Sequence, residues 1–271
     1  MRFCVLGSGS KGNSTFIEGG DTRILVDAGF SGLELERRLA SVGVDPSSLS
    51  AIVVTHEHSD HIRGVQALSR RFGLTVLASA ATMKAAGNTL AKVARWTEIQ
   101  AGRTFSLDEL VIHPFSVSHD VVDPLGFVIG YQGLSVGYCT DTGSVSRVMQ
   151  HRLGGCNGLI LECNHDPVML RNGSYPPHLQ QRIRSKEGHL ANSEAAELLA
   201  ELIHDGLEHV VLAHLSESNN TPELARREVE IYLNSKGFGE CMLRGFVLSV
   251  AGQEKTGSMI HLGGRGAGRG F

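Results

Sequence analysis

Short apolar stretches separated by glycines predict strands in the first part of the chain. Phe3–Leu6, Thr15–Glu18 and Arg23–Asp27 follow one another with no room for a helix between them. A helix is predicted at Leu33–Ser41 from its spaced apolar positions. Ala51–Val54 is an unbroken apolar run, which is typical of a strand buried on both faces.

Strand and helix patterns alternate through the rest of the chain. Early paired strands followed by this alternation predict an α/β fold of stacked sheets flanked by helices. Because 41% of the 271 residues are apolar and no linker is visible, we expect one domain over 1–262 and a flexible Gly/Arg tail over 263–271. The later strands are predicted at Leu74–Ala78, Val111–Val117, Phe127–Tyr131, Leu134–Cys139, Gly158–Glu162 and His209–Ala213, and the later helices at His61–Phe72, Ala80–Leu90, Ser144–His151, Asn192–His204 and Pro222–Asn234.

The amino-acid composition says more about the cellular location and overall charge of the protein than about its chemistry. The five cysteines are scattered and form no CxxC pair, so we expect reduced thiols and a cytoplasmic protein. The apolar run at the N-terminus is too short for a signal peptide or a membrane span. A formal net charge of −3 gives no global positive field, so any surface that binds nucleic acid must be local.

A glycine motif at Gly7–Gly12 matches G-x-G-x-x-G and follows a predicted strand. A dinucleotide site of this kind needs a helix directly after the glycines to receive the pyrophosphate. The next residues instead predict a strand and a turn. We therefore interpret the motif as a turn between strands, which could still line an active site.

The segment His56-Glu57-His58-Ser59-Asp60-His61 carries the strongest chemical signal in the sequence. Alternation at the end of the preceding strand places His56 and His58 on the same side. Asp60 and His61 can point back from the first turn of the following helix. Imidazole and carboxylate groups gathered in this way form a cage for borderline metals, whereas the alternative is an exposed polar loop.

Three further ligand-type residues follow predicted strands. His119 comes after Val111–Val117, Asp141 after Leu134–Cys139, and His214 after His209–Ala213. Each alone could be a polar residue that merely ends a strand. Because loops at strand ends carry functional groups on a rigid scaffold, we expect all three to join the His56–His61 segment in one site.

These residues resemble the successive metal motifs of the metallo-β-lactamase superfamily. The resemblance implies a four-layer αβ/βα sandwich with two divalent metal ions at one edge of the sheets. It implies that the first ion is held by His56, His58 and His119. It implies that the second is held by Asp60, His61 and His214, with Asp141 bridging the two. Zinc and manganese both accept these ligands, so the identity of the ions stays open.

Further segments around these motifs are distinctive, namely Gly7–Ser14, Ser118–Asp120, Asp123–Phe127, Glu162–Asp166, Tyr175-Pro176 and Gly188–Asn192. They are similar to the YycJ/WalJ-type (VicX-like) family, and the similarity extends to about Asn220. This resemblance implies a 5′→3′ exonuclease acting on DNA, with a role in DNA repair. Ala191 stands where a serine is expected in that family.

Hydrolysis of a phosphodiester also needs a proton for the leaving alkoxide. His189 and His165 are the candidate general acids, because both lie in motifs that resemble phosphodiesterases of the superfamily, and we favour His189. Glu162 could orient either histidine. Asp60 could orient the attacking water in addition to binding metal.

Two other functions remain open at the level of sequence. The same metal core could hydrolyse small thioesters or lactones, or the protein could be a non-catalytic module stabilised by metal. The segment from Arg171 to Lys186 gathers positive charge before His189 and could follow a phosphate backbone, or it could be a solvated helix face. The sequence does not separate DNA from RNA or fix the oligomeric state.

Overall fold

Two mixed sheets form the centre of the protein in the computed structural model, which describes residues 1–238 and 245–263. The first sheet contains, in spatial order, β14 (Ile260–His261), β1 (Arg2–Gly7), β2 (Ser14–Gly19), β3 (Thr22–Val26), β4 (Ala51–Val53), β5 (Thr75–Ala78) and β6 (Arg95–Glu98). The second contains β13 (Val247–Val250), β12 (His209–Ala213), β11 (Gly158–Glu162), β10 (Leu134–Cys139), β9 (Leu125–Tyr131), β8 (Leu110–Ser116) and β7 (Phe105–Leu107).

Helices cover the outer face of each sheet. In the described ranges, no helix combines the length and apolar character needed to cross a bilayer. The helices are α1 (Gly32–Ser41), α2 (Ser59–Ile62), α3 (Val65–Phe72), α4 (Ala80–Ala86), α5 (Arg147–Leu153), α6 (Pro167–Asn172), α7 (Pro177–Ile183), α8 (Asn192–Leu202) and α9 (Pro222–Ser235), with short 3₁₀ turns at Pro46–Ser48 and Gly87–Thr89.

Three apolar clusters correspond to the three interfaces between these layers. The central cluster joins the sheets through side chains such as Ile17 and Phe127. A second cluster, around Leu35 and Ile52, lies between the first sheet and α1 and α3. A third, around Leu199, joins the second sheet to α5, α8 and α9. The predicted αβ/βα sandwich is confirmed, because each sheet buries one face against its partner and the other against helices.

Strand direction brings the functional loops to one edge. β3 and β4 are parallel, as are β10, β11 and β12. β8 runs antiparallel to β9, which is antiparallel to β10, so β8 and β10 point the same way. The carboxyl ends of these strands therefore share one edge of the sandwich, where their connecting loops meet.

Two predicted helices are shorter than expected, because glycines interrupt them. The helix predicted over His61–Phe72 is divided into α2 and α3 at Gly64, whose amide donates to Ala28 O at 2.7 Å. A Cβ on Gly64 would overlap Phe30 O, so the chain approaches its neighbour closely there. The helix predicted over Ala80–Leu90 ends at Ala86, because Gly87 has a φ of +50°.

Short elements were missed by the hydrophobic pattern. β6 is exposed along its whole length, and β14 has only two residues, so neither shows a clear alternation of apolar positions. β13 lies in the last fifty residues, where the sequence offers no diagnostic motif. The tail from residue 264 onward and Cys241 lie outside the described residues.

The glycine motif is a turn between strands. β2 follows it directly and pairs antiparallel with β1, so there is no helix to receive a pyrophosphate. The turn instead supports the functional edge, because Ser8 Oγ accepts a hydrogen bond from the amide of His214 at 2.8 Å.

We predict that Ala191→Ser stabilises the protein by about 1 kcal/mol, because Ala191 is the N-cap of α8 and has no side chain that can accept from the free amides of the first turn. Chemical denaturation measures the change. Ala200→Ser, within the same helix, is the matched control and should give no gain, because serine there caps nothing. An equal effect of both substitutions would contradict the capping explanation.

Candidate metal centre and active site

The His56–His61 segment is a loop and the first turn of α2. β4 ends at Val53, so His56 and His58 are brought together by the loop and not by strand alternation, which corrects that part of the prediction. Asp60 and His61 do lie in the first turn of a helix, as predicted. The amide of Asn13 donates to Asp60 O at 2.7 Å and fixes this turn against the glycine-rich loop.

All seven residues predicted to bind metal converge at one edge of the sandwich. Their potential ligand atoms fall into groups in which every pair of atoms lies within 4.8 Å. One group is His56, His58 and His119, and another is Asp60, His61 and His214. A third joins Asp141 to His56 and His61.

The Asp141 carboxylate lies between these groups. Its Oδ2 is 3.3 Å from His61 Nε2. Its Oδ1 is 3.4 Å from His214 Nε2 and 3.9 Å from His119 Nε2. Asp141 therefore faces members of both histidine sets.

Each of four histidines is oriented by a contact to its Nδ1 nitrogen. Donation from Nδ1 to an oxygen leaves Nε2 unprotonated in the neutral ring, which is the form that binds metal. The partners of Nδ1 are Thr55 Oγ1 for His56 (3.0 Å), Asp27 Oδ2 for His61 (2.7 Å), Gly188 O for His119 (3.1 Å) and Glu162 Oε1 for His214 (2.9 Å).

Several buried polar atoms of the site lack a hydrogen-bond partner and could bind a cation. His56 Nε2 and Asp141 Oδ2 are buried and have no hydrogen-bond partner among the described residues. His58 Nδ1 and His119 Nε2 lie 3.4 Å apart, with one nitrogen facing the other. Buried polar atoms of this kind are costly unless something binds them, and imidazole with carboxylate suits borderline divalent metals.

Electrostatics in the ion-free site also favour cations. Burial opposes protonation of His214, but the charge of Asp141 and the hydrogen bonds of Asp60 and Glu162 outweigh it and raise the pKa to about 10. Burial likewise opposes the charge on Asp141, yet His214 and His61 hold its pKa well below the usual range. Protons thus occupy His214 at neutral pH, and metal must displace them, so metal affinity should weaken as pH falls.

His189 lies beside this cluster with a buried carboxylate behind it. Its Nδ1 is 2.7 Å from Glu162 Oε1, the same oxygen that faces His214 Nδ1. Glu162 Oε2 accepts from the amide of Thr142 at 2.8 Å. Burial tends to raise the pKa of Glu162, but the opposing effect of His189 and His214 is larger and lowers it to about 2. The carboxylate is therefore charged.

His165 lies apart from the open cavity. It is almost fully buried, pairs through its backbone with Ala191, and does not line the cavity that His189 lines. Burial lowers its pKa to about 4, so its ring is neutral at physiological pH. The structure therefore brings His189, but not His165, to the place where a substrate would lie.

Two residues that orient the site were not singled out in the sequence. Asp27 is fully buried and accepts from Thr55 N at 2.9 Å as well as facing His61. Asn13 Nδ2 is 3.1 Å from His61 Nε2 and 3.2 Å from Asp60 Oδ2. The signal for Asp27 was its place directly after β3, the same pattern that identified Asp141 and His214.

The backbone is strained at these strand ends. Asp27, Asp141 and His214 all have positive φ angles, of +59°, +55° and +56°. Such conformations are uncommon for residues other than glycine and persist where the surrounding structure enforces them. The strain coincides with the site and turns these side chains toward it.

Comparison with known proteins supports the resemblance predicted from the motifs. A family model described as "Beta-lactamase superfamily domain" matches residues 22–215. Exodeoxyribonuclease YycJ of Bacillus anthracis is 37% identical over 241 residues, covering 88% of this chain and 91% of its own. Exodeoxyribonuclease WalJ of Streptococcus pneumoniae is 39% identical over 229 residues, covering 83% and 85%.

The fold also matches a solved structure. The metallo-beta-lactamase fold protein YhfI of Bacillus subtilis superposes with a TM-score of 0.72 at 18% identity, covering 96% of this chain and 99% of that one. At this level of identity the match concerns the architecture alone. It agrees with the two-sheet sandwich described above.

We predict that Asp27→Asn weakens binding of Zn²⁺ by roughly 10- to 100-fold, because the amide no longer gives His61 Nδ1 a charged acceptor. Competition with a chromogenic chelator measures the affinity. Asp108→Asn is the matched control, since Asp108 also has a positive φ but lies in the exposed turn between β7 and β8. Equal affinities for the wild type and Asp27→Asn would contradict an orienting role.

Proposed function

We propose that this protein, which belongs to the beta-lactamase superfamily, is a metal-dependent exodeoxyribonuclease that degrades DNA in the 5′→3′ direction. The observation that carries the proposal is the convergence of seven ligand-type side chains at one edge of the sandwich. Four of them line an open cavity together with His189, namely His58, Asp60, Asp141 and His214. The relatives named exodeoxyribonuclease, which match most of this chain, indicate the substrate class. A role in DNA repair is part of the same proposal.

Two divalent ions, Zn²⁺ or Mn²⁺, fit the residues present. The site would hold one with His56, His58 and His119, the other with Asp60, His61 and His214, and both with Asp141. When bound, such ions supply Lewis acidity toward a phosphoryl oxygen and a nucleophilic water at neutral pH. Asp60, which lines the cavity, would also orient that water.

The chain itself supplies the proton for the leaving alkoxide. Glu162 Oε1 accepts from Nδ1 of His189, which orients the ring. Nε2 of His189 remains available to transfer a proton in the cavity. We assign His165 a structural role, because a neutral, buried ring outside the cavity cannot protonate a leaving group there.

A phosphodiester suits the cavity better than a small neutral ester. Arg182 lines the cavity, and Arg184 and Lys186 are exposed on the segment that leads to His189. The protein as a whole has a negative net charge, so a surface that binds phosphates must be a local cluster of basic residues such as this one. Hydrolysis of small thioesters or lactones is the alternative. A cytoplasmic location agrees with Cys4, Cys139, Cys156 and Cys163, which are all buried and free.

The direct test incubates metal-loaded protein with end-labelled single-stranded DNA, duplex DNA and RNA. We expect DNA to be shortened from the 5′ end, and we expect Asp141→Ala to abolish the activity because it removes the ligand shared by both sets. Treatment with EDTA should do the same. If the wild type leaves every polymer intact and cleaves a thioester, the proposed substrate is wrong.

We predict that His189→Ala lowers kcat on DNA by roughly 10²- to 10⁴-fold, because the alkoxide loses its proton donor. The loss should be much smaller on bis(p-nitrophenyl) phosphate, whose leaving group needs little protonation. His165→Ala is the matched control and should retain kcat within a few-fold. Equal losses on both substrates would contradict the role of His189 as a general acid.

A further inference from the structure

One wall of the active-site cavity is apolar. Tyr175, Leu179 and Ile183 line it, whereas the metal-binding cluster and His189 form other parts of the same lining. Leu179 and Ile183 are four residues apart on α7 and so share one face of the helix. The cavity, of about 230 Å³, therefore places apolar side chains beside the ligand-type residues and His189.

Tyr175 is held in place before any substrate binds. Its carbonyl accepts from Gln180 Nε2 at 2.9 Å, which ties it to the first turns of α7. Pro176 and Pro177 follow it and restrict the backbone where the loop meets the helix. Because the backbone at Tyr175 is restrained in this way, less conformational entropy is lost when something packs against its ring.

A positive charge lies next to this wall. Arg182 also lines the cavity and is more than half exposed, and its Nε donates to Asp120 Oδ2. No other partner of this guanidinium occurs in 1–238 or 245–263, so its remaining N–H groups are free to bind an anion. Asp120 in turn faces His119 Nε2 at 3.5 Å, which connects the arginine to the metal-binding cluster.

We propose that Tyr175, with Leu179 and Ile183, forms a platform on which the unpaired terminal base of a nucleic-acid strand stacks, while Arg182 binds the adjacent phosphate. This inference rests on the proposed nuclease function and specifies its substrate as a single-stranded or frayed end. A base inside a duplex is paired and stacked, so its face reaches the platform only after it leaves the helix. The platform thereby favours single-stranded over blunt ends.

The combination of groups distinguishes a nucleotide from an apolar acyl group. An acyl chain would use the apolar wall but would leave the N–H groups of Arg182 that do not contact Asp120 without an anion to bind. A nucleotide uses both, because the π face of its base stacks on an aromatic ring and its phosphate pairs with an arginine. Such stacking accepts every base, which suits an enzyme that removes successive nucleotides.

The proposal is tested by combining a substitution of Tyr175 with removal of the terminal base from the DNA strand. Fluorescence anisotropy in EDTA, which prevents cleavage, measures binding of a labelled single strand whose 5′-terminal nucleotide either carries its base or is abasic. For the wild type and Tyr175→Phe, we expect removal of the base to weaken binding by about tenfold. For Tyr175→Ala, we expect the two strands to bind equally well.

Two further variants complete the design. Gln181→Ala, on the exposed face of α7 away from the cavity, controls for changes in the helix and should behave as the wild type. Arg182→Gln should weaken binding of both strands equally and reduce the dependence of binding on salt. With the metal-loaded enzyme, the preference for single-stranded over blunt duplex ends should fall in Tyr175→Ala and persist in Tyr175→Phe.

The failures of the two proposals are distinguishable. If the metal-loaded wild type cuts DNA but Tyr175→Ala still distinguishes the base from the abasic end as the wild type does, the stacking platform is wrong and the nuclease function stands. Stronger binding of a thioester than of either strand, with its loss in Tyr175→Ala, would overturn the nucleotide assignment. If the wild type cuts no polymer, the proposed nuclease function itself is wrong.

Discussion

The carboxylate of Asp141 imposes the central constraint on this structure, because it is buried among four histidines. A buried charge is tolerated only where opposite charge surrounds it. In the ion-free protein, protons on His61 and His214 provide that charge, which is why the pKa values of both histidines are raised. Bound metal ions provide the same positive charge without the need for protons on these histidines. Charge balance therefore requires the histidines, which come from segments distant in sequence, to surround Asp141 closely.

The sandwich allows the site to be strained without loss of order. Asp27, Asp141 and His214 adopt positive φ angles at the ends of β3, β10 and β12, and each is followed by a loop of the functional edge. The strands themselves are buried on both faces, so the apolar clusters hold them in register. Burial across the interior therefore offsets the conformational cost at the rim.

Much of the site was predictable, because residues of metal-binding type follow the ends of apolar strands in the sequence. His119, Asp141 and His214 needed only the observation that a ligand-type side chain follows an apolar strand. The reason given for pairing His56 with His58 was wrong, because β4 ends too early for alternation to act. The contact of Glu162 with His189 was expected from the sequence, but its contact with His214 was not. That second contact depends on the register of β11 and β12, and periodicity along the chain carries no register.

The bond between Ser8 and His214 has a consequence for how the protein is made. It joins residues 206 positions apart, and β1 pairs with β14 near the other end of the described chain. During synthesis, His56, His58 and His61 emerge from the ribosome long before Asp141 and His214 exist. A growing chain therefore carries only part of its coordination sphere, and the full site closes late, when long-range pairing becomes possible. Metal ions in the cell can therefore encounter a partial set of ligands on the growing chain before the complete site has formed.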